Sequence, residues 1–250
     1  MKVTLLENKT VDLSKGIDLS LTLRGNETNP AAWYVSPPKF EPVRENGWTG
    51  AVAEGGSVNF RNIYFNPHGH GTHTECLGHI TPEVYSINEH LKQFFFTAKL
   101  ISVTPEHVKN EEEEDRVITY KALAAQLKEN QKVEALIIRT LPNTSKKLSK
   151  NYSATNPPYI STECLPLLNK LGVRHLLIDL PSVDREQDDG KLAFHHAFWS
   201  VPKNPNFEKT ITELIFVPDI AEDGNYLLNL QVAPFNNDAS PSRPVIYKYH

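Results

Sequence analysis

The sequence predicts a single α/β domain with a mixed sheet, and three observations predict it. Strand-like runs outnumber helical ones along the 250 residues. In the middle of the chain, capped helical segments alternate with buried apolar runs, the pattern of helices laid on a sheet. No long low-complexity linker and no internal repeat interrupts the chain, so residues 1–250 read as one domain.

Residues 25–67, which include "NETNPAAWYVSPPKFEP", are rich in Pro, Gly and Asn, which predicts irregular loops with short strands. "SVNFRNIYFNP" alternates and is aromatic, as a strand would be. "PEVYSINEHLKQFFF" places Val84, Ile87, Leu91 and Phe94 or Phe95 at helical spacing. "AKLISVTPE" reads as a strand stopped by Pro105. The charge run "KNEEEEDR" reads as a solvated loop or helix start. "TYKALAAQLKEN" is an amphipathic helix with Thr119 as N-cap. "VEALIIRT" and "RHLLIDLPS" are buried strands. Between them, "STECLPLLNKLGV" is a helix opened by Ser161 or Thr162 and ended by Gly172. "TITELIFVPDI" and "NYLLNLQVAPF" read as the closing strands.

The totals exclude several classes. Hydrophobic residues make up 39% and charged residues 22%, an ordinary composition for a soluble domain. A net charge of −4 gives no phosphate-tracking surface, so nucleic acid is not an expected partner. No apolar run reaches bilayer length, so no membrane partner is expected. The first residues, "MKVTLLENKTVDLSKG", lack the apolar core of a secretory signal. Two cysteines make no disulfide framework, and the expected setting is the cytoplasm.

The chemistry concentrates in "HGHGTHTECLGH", residues 68–79, which holds four of the ten histidines. Gly69 and Gly71 argue against a helix through this stretch. In an extended chain residues two apart share a face, so His73 and Glu75 would point the same way. Imidazole and carboxylate on one surface suit a divalent metal. His68 could fold back to the same ion, and His79 could return to it past Gly78. A lone histidine is more often structural, but four together with an acid favour metal binding. The rival local reading is a Cys–His nucleophile at Cys76. Alternation turns that thiol away from His73 and Glu75, more as a small apolar residue packs. Further ligands must come from elsewhere: His195 or His196 in "LAFHHAFW", and Glu213 in "TITELIFV". Glu213 could equally face solvent by alternation.

These residues resemble the signature of the cyclase-like family of metal-dependent hydrolases, which includes bacterial kynurenine formamidase and isatin hydrolase. Its pattern is roughly HxGTHxDxPxH, and this chain carries "GTHTECLGH". "IDLSLTL", "LGVRHLLIDLPSVDRE", "HHAF" with "TEL", and "DGNYLLNLQVAPF…DASPSRPVIY" match further family segments in the same order. The resemblance implies a cyclase-like, swivelling β/β/α fold. It implies metal ligands at His68, His73, Glu75 (where the family has Asp), His195 and Glu213, and a general acid/base at His79. The first ligand falls on His68 through an inferred one-residue insertion, with His70 as the competitor. The implied cofactor is a divalent metal, zinc or manganese, with one or two ions per chain. The implied activity is hydrolysis of amide-type C–N bonds. It is arylformamidase-like, taking N-formylkynurenine to kynurenine and formate, or it opens a cyclic amide. The substrate would be a small, aromatic amide with Trp33 as a stacking partner, and Tyr34, Trp48 and Trp199 could extend that wall. A homodimer or higher homo-oligomer is expected. The alternative is a non-catalytic metal- or ligand-binding protein of the same fold.

Overall fold

The computed structural model describes residues 1–5, 9–109, 114–128 and 130–250. A nine-stranded sheet collects strands from the whole length of the chain. In chain order these are β1 (Ile17–Asp18), β2 (His73–Glu75), β3 (Phe95–Val103), β4 (Ala135–Thr140), β5 (His175–Ile178), β6 (Thr210–Glu213), β7 (Gly224–Asn229), β8 (Ala239–Pro241) and β9 (Val245–Lys248). Their order across the sheet is β8-β2-β6-β5-β4-β3-β7-β9-β1. The central β3, β4, β5 and β6 run parallel. Antiparallel strands flank them on both sides, β2 and β8 on one, β7, β9 and β1 on the other. The mixed sheet expected from the sequence is therefore present.

β4 shows why the centre is parallel. All six of its residues are buried, the continuous apolar run of a strand covered on both faces. Among the described residues, five short helices accompany the sheet: α1 (Pro67–His70), α2 (Ile87–His90), α3 (Tyr120–Ala124), α4 (Leu165–Leu171) and α5 (Ala193–Trp199). On one face Leu136, Ile138, Leu176, Ile178 and Ile211 pack with Leu168 and Leu171 of α4 and Phe194 and Phe198 of α5. On the other, Ala135, Ile137 and Leu177 pack with Leu19, Ile87, Tyr226 and Ile246. Ser161 and Gly172 bracket the α4 segment as expected. The Ser161 hydroxyl accepts from the Glu163 N–H at 3.3 Å, and Gly172 takes the left-handed φ of 81° that ends helices. Thr119 caps α3 by accepting from the Ala122 N–H at 3.2 Å.

Several elements differ from the expectation. The periodicity of 82–96 yields only α2, because Phe95 and Phe96 already belong to β3 and pair with Asn229 and Leu228 of β7. Cross-strand pairing with a buried Phe96 prevails over local helical spacing. The 119–130 helix is a single turn ending at Ala124, and Glu129 lies outside the described residues. In the charge run, residues 110–113 likewise lie outside them. Glu114–Ile118 is a strand rather than a solvated loop. Its Asp115 is buried because Asn156, Tyr159 and Arg185 all bond to its carboxylate, which supplies the partners that burial of a charge requires. The "RNIYFNP" strand exists as Arg61–Tyr64, paired with Lys39–Pro42 outside the main sheet.

Candidate metal and catalytic site

The histidine stretch does contain a helix, which the glycines argued against, but only one turn of one. Pro67 opens α1 with its preset φ, and the Asn66 side chain caps it by accepting from the Gly69 N–H at 3.1 Å. This turn sets the two candidate first histidines in different surroundings. His70 is spent on backbone: its Nδ1 accepts from the Asn66 N–H and its Nε2 donates to the Ser36 carbonyl, each at 2.8 Å. His68 projects the other way, with Nδ1 3.0 Å from Glu75 Oε2.

Past Gly71 the chain becomes β2, and alternation acts as expected. His73 and Glu75 face one side, and Thr74 faces the other, where its hydroxyl meets that of Thr212 at 2.8 Å. Register then brings in the distant carboxylate, because β6 pairs antiparallel with β2 and sets Glu213 directly opposite His73. His73 Nε2 lies 3.5 Å from Glu213 Oε2 and 3.9 Å from Glu75 Oε2. Glu213 is buried, and one of its oxygens accepts the Val183 N–H at 3.0 Å. The solvent-facing alternative for Glu213 is thus excluded.

His195 enters from α5. Asp184 caps the start of this helix by accepting the Phe194 and His195 N–H groups at 2.8 and 3.1 Å. The same carboxylate takes His195 Nδ1 at 2.6 Å. The ring's Nε2 is thereby aimed inward, 3.1 Å from Glu75 Oε1 and 3.8 Å from Glu213 Oε1. His79 completes the group, its Nε2 4.0 Å from Glu75 Oε2 and its ring stacked on His68 with centroids 4.2 Å apart. The fold brings together the six His and Glu residues to which the resemblance gives a role, His68, His73, Glu75, His79, His195 and Glu213. Trp33 lines the cavity of about 310 Å³ that opens beside His68, His79 and His195. Trp48 and Trp199 are elsewhere: Trp48 stacks edge-on against Phe60, and Trp199 is fully buried behind His195. Tyr34 is two-thirds exposed and is not part of the cavity wall.

Two residues with a clear place here were not singled out from sequence. One is Asp184, which orients His195. The other is Asp238, whose Oδ2 lies 2.8 Å from His68 Nε2 and 3.4 Å from His79 Nδ1. Both sit in segments matched to the family, "PSVDRE" and "DASPSRP". The usable signal was general: a histidine that binds metal donates its other N–H to a carboxylate or carbonyl.

Electrostatics marks this as a cation site. Burial opposes charging His68, yet Asp238 and Glu75 outweigh it and lift its pKa to about 10. Burial likewise opposes charge on His195, and Asp184 and Glu75 raise it to about 10. Glu75 is fully buried, which opposes its ionisation; the imidazoles of His79, His195 and His68 nonetheless hold it well below the usual carboxylate range. Within this site the buried His73 Nε2 has no hydrogen-bond partner, and the buried Glu75 Oε2 faces the His68 ring at 3.0 Å and the His73 and His79 rings at 3.9 and 4.0 Å. A buried polar atom without a partner is costly. Donor atoms of His68, Glu75 and His79 lie within 4.8 Å of one another, as do those of His73, Glu75 and Glu213. Imidazole nitrogens with carboxylate oxygens are the donor set of a divalent ion, and these residues fit one. Cys76 is not part of the site. It is fully buried in the opposite core cluster, its thiol donates to the Tyr85 carbonyl, and burial pushes its pKa up to about 12. That removes the nucleophile reading, which needs a thiolate.

The cyclase family model matches residues 17–185, more than half of the chain. The kynurenine formamidase of Bacillus cereus is 28% identical over 235 residues, covering 93% of this chain and 97% of that one. The kynurenine formamidase of Bacillus cytotoxicus is 38% identical over 90 residues, 36% of this chain and 39% of that protein. Isatin hydrolase A from Labrenzia aggregata has a similar structure, with a TM-score of 0.62, 15% identity and 93% of each chain covered. A predicted metal-dependent hydrolase from Bacillus stearothermophilus superposes with a TM-score of 0.61 at 17% identity, covering 93% of this chain and 98% of that one. Among the described residues, no helix is long and apolar enough to cross a membrane. The chain belongs to the cyclase family.

Proposed function

We propose that this cyclase-family chain hydrolyses amide-type C–N bonds with a divalent ion, zinc or manganese, held by His68, His73, Glu75, His195 and Glu213. The observation that carries the reading is the buried group of His73, whose Nε2 has no hydrogen-bond partner, and Glu75, held among the imidazoles and carboxylate of His68, His79, His195 and Glu213, which line a cavity. When bound, such an ion supplies Lewis acidity, lowering the pKa of water toward roughly 7 and polarising a carbonyl. The chain's own residues do the rest. Glu75 and Glu213 balance the cation, and Asp184 keeps His195 Nε2 aimed inward. His79 stands on the cavity wall, where its inward nitrogen takes a proton from water and returns it to the leaving nitrogen. The C–N bond breaks, the water's oxygen goes to the carbonyl carbon, and the amine leaves protonated. Trp33 offers an aromatic face on the same wall, which suits an aromatic substrate. The names of the relatives support an aryl formamide such as N-formylkynurenine, or a cyclic amide such as isatin.

The test strips the protein with a chelator, reloads it with zinc or manganese, and monitors N-formylkynurenine and isatin. Turnover is expected in the reloaded protein and is lost on stripping and in Glu75→Gln. Turnover indifferent to both would end the metal-assisted reading. A tightly held ion with no turnover of any amide would favour the ligand-binding alternative.

A further inference from the structure

We infer that Asp238 is a positioning residue that sets the tautomers of two imidazoles at once, those of His68 and His79. The inference deepens the metal-hydrolase reading and rests on it for the roles of those two rings. Asp238 stands immediately before β8, whose first residue, Ala239, pairs with Glu75. Its own carbonyl accepts the Cys76 N–H at 3.1 Å. The backbone at Asp238 is therefore locked to the strand that carries His73 and Glu75. From there a single oxygen, Oδ2, reaches His68 Nε2 at 2.8 Å and His79 Nδ1 at 3.4 Å. One oxygen can serve both rings because they stack, with planes 26° apart.

An ionised carboxylate only accepts hydrogen bonds. The nitrogen hydrogen-bonded to Asp238, Nε2 of His68, must then carry the hydrogen, and the carboxylate 3.4 Å from His79 Nδ1 favours the hydrogen on that nitrogen as well. When an ion takes the place of the second proton on His68, the opposite nitrogen of each ring is the lone-pair bearer. Both of those nitrogens point at the centre of the site, His68 Nδ1 at 3.0 Å and His79 Nε2 at 4.0 Å from Glu75 Oε2. A ring that holds an ion needs its lone pair inward, and so does a ring that accepts a proton from water. Without Asp238, either ring can take the other tautomer and present an N–H where a lone pair is required. One carboxylate thus prepares both the ion's ligand and the acid/base group, and so couples metal affinity to proton transfer.

The experiment compares Asp238→Ala, which removes the acceptor, with Asp238→Asn, which keeps one acceptor oxygen and loses the charge. Three quantities are read: ring ¹⁵N shifts of His68 and His79 in the zinc-loaded protein, zinc affinity by chelator competition, and kcat with zinc saturating. In Asp238→Ala the His79 ring should lose its single tautomer, while bound zinc itself keeps the hydrogen on His68 Nε2, and zinc affinity should fall about 10–100-fold. kcat should stay down about 10-fold or more even with zinc saturating, with Asp238→Asn intermediate on each measure. A folded Asp238→Ala in which His79 keeps its Nδ1–H tautomer overturns the inference. So does one whose kcat recovers fully once zinc saturates, because Asp238 would then serve His68 alone. Should Asp238→Ala not fold, Asp238→Asn decides, an unchanged kcat at saturating zinc overturning the proposal. Ring shifts and zinc affinity are read without turnover. A chain that hydrolyses no amide would therefore sink the hydrolase reading while those two measurements still decide the role of Asp238.

Discussion

Two buried histidines, at the two ends of β6, meet opposite fates. His73 faces Glu213 at the end of the strand, and His175 faces Thr210 at its start. Both are essentially removed from water. His175 lies against Phe96, with ring centroids 4.0 Å apart, and its Nδ1 meets the Thr210 hydroxyl at 2.9 Å. Burial among apolar groups, helped slightly by the Arg174 charge, pushes its pKa down to about 3. Around His73 the surroundings are carboxylates, and neighbouring His68 and His195 are pushed up to about 10 instead. The lesson is that burial alone drives a proton off an imidazole, while buried carboxylates demand a cation. Each histidine also has one buried nitrogen, Nε2, without a hydrogen-bond partner among the described residues. Of the two, only the one at His73 faces anionic oxygens, in a group of donors that could hold a metal ion.

The contrast can be broken first at the proton-transfer group. His79→Ala should spare metal content, since the carboxylates and three other imidazoles remain, and lower turnover by about 10²–10⁴-fold. Metal analysis beside steady-state kinetics checks this; loss of the ion along with folding would make His79 structural. Metal loading sharpens the contrast next. At a free zinc concentration about 100 times Kd, the native state should gain about 2.7 kcal/mol, seen as a higher Tm, and His175→Gln should show the same gain. If His175→Gln loses it, the two histidines are not independent. Smaller again is the orienting carboxylate. Asp184→Asn should weaken zinc binding by about 10–100-fold without abolishing it, and equal affinity in a chelator competition would contradict the orienting role.

The smallest effect lies at the apolar end. His175 is neutral when folded down to about pH 3 but titrates in the unfolded chain at the ordinary value of 6.5. Below pH 6.5 the unfolded chain binds the additional proton, so stability falls as pH falls from 6.5 toward 3. The slope from this one group is about 1.4 kcal/mol per pH unit. Urea unfolding between about pH 7 and 4 should show a shallower decline in His175→Gln than in the parent. Parallel curves would mean that His175 is hydrated or charged in the folded state.

The sequence by itself determined what is local. Alternation placed His73 and Glu75 on one face, since the period of a strand is a property of any extended chain. Thr119, Ser161 and Gly172 ended up at helix boundaries because capping is decided within a few residues. The clustering of imidazoles with an acid pointed to a divalent metal, and the ordered family segments pointed to the fold and to His195 and Glu213, which the structure sets beside that cluster. Tertiary structure decided what depends on partners far along the chain. Only the pairing of β2 with β6 turned Glu213 inward instead of outward. A single turn capped by Asn66 turned His68 toward Glu75 and His70 onto backbone groups, a difference that spacing left open. Pairing with β7 made a strand of Phe95 and Phe96 where periodicity suggested helix. Asp184 and Asp238 acquired their places from chain segments more than 100 residues after the histidine stretch. A side chain's chemical type is written in the sequence, but its hydrogen-bond partners exist only once the sheet order is set.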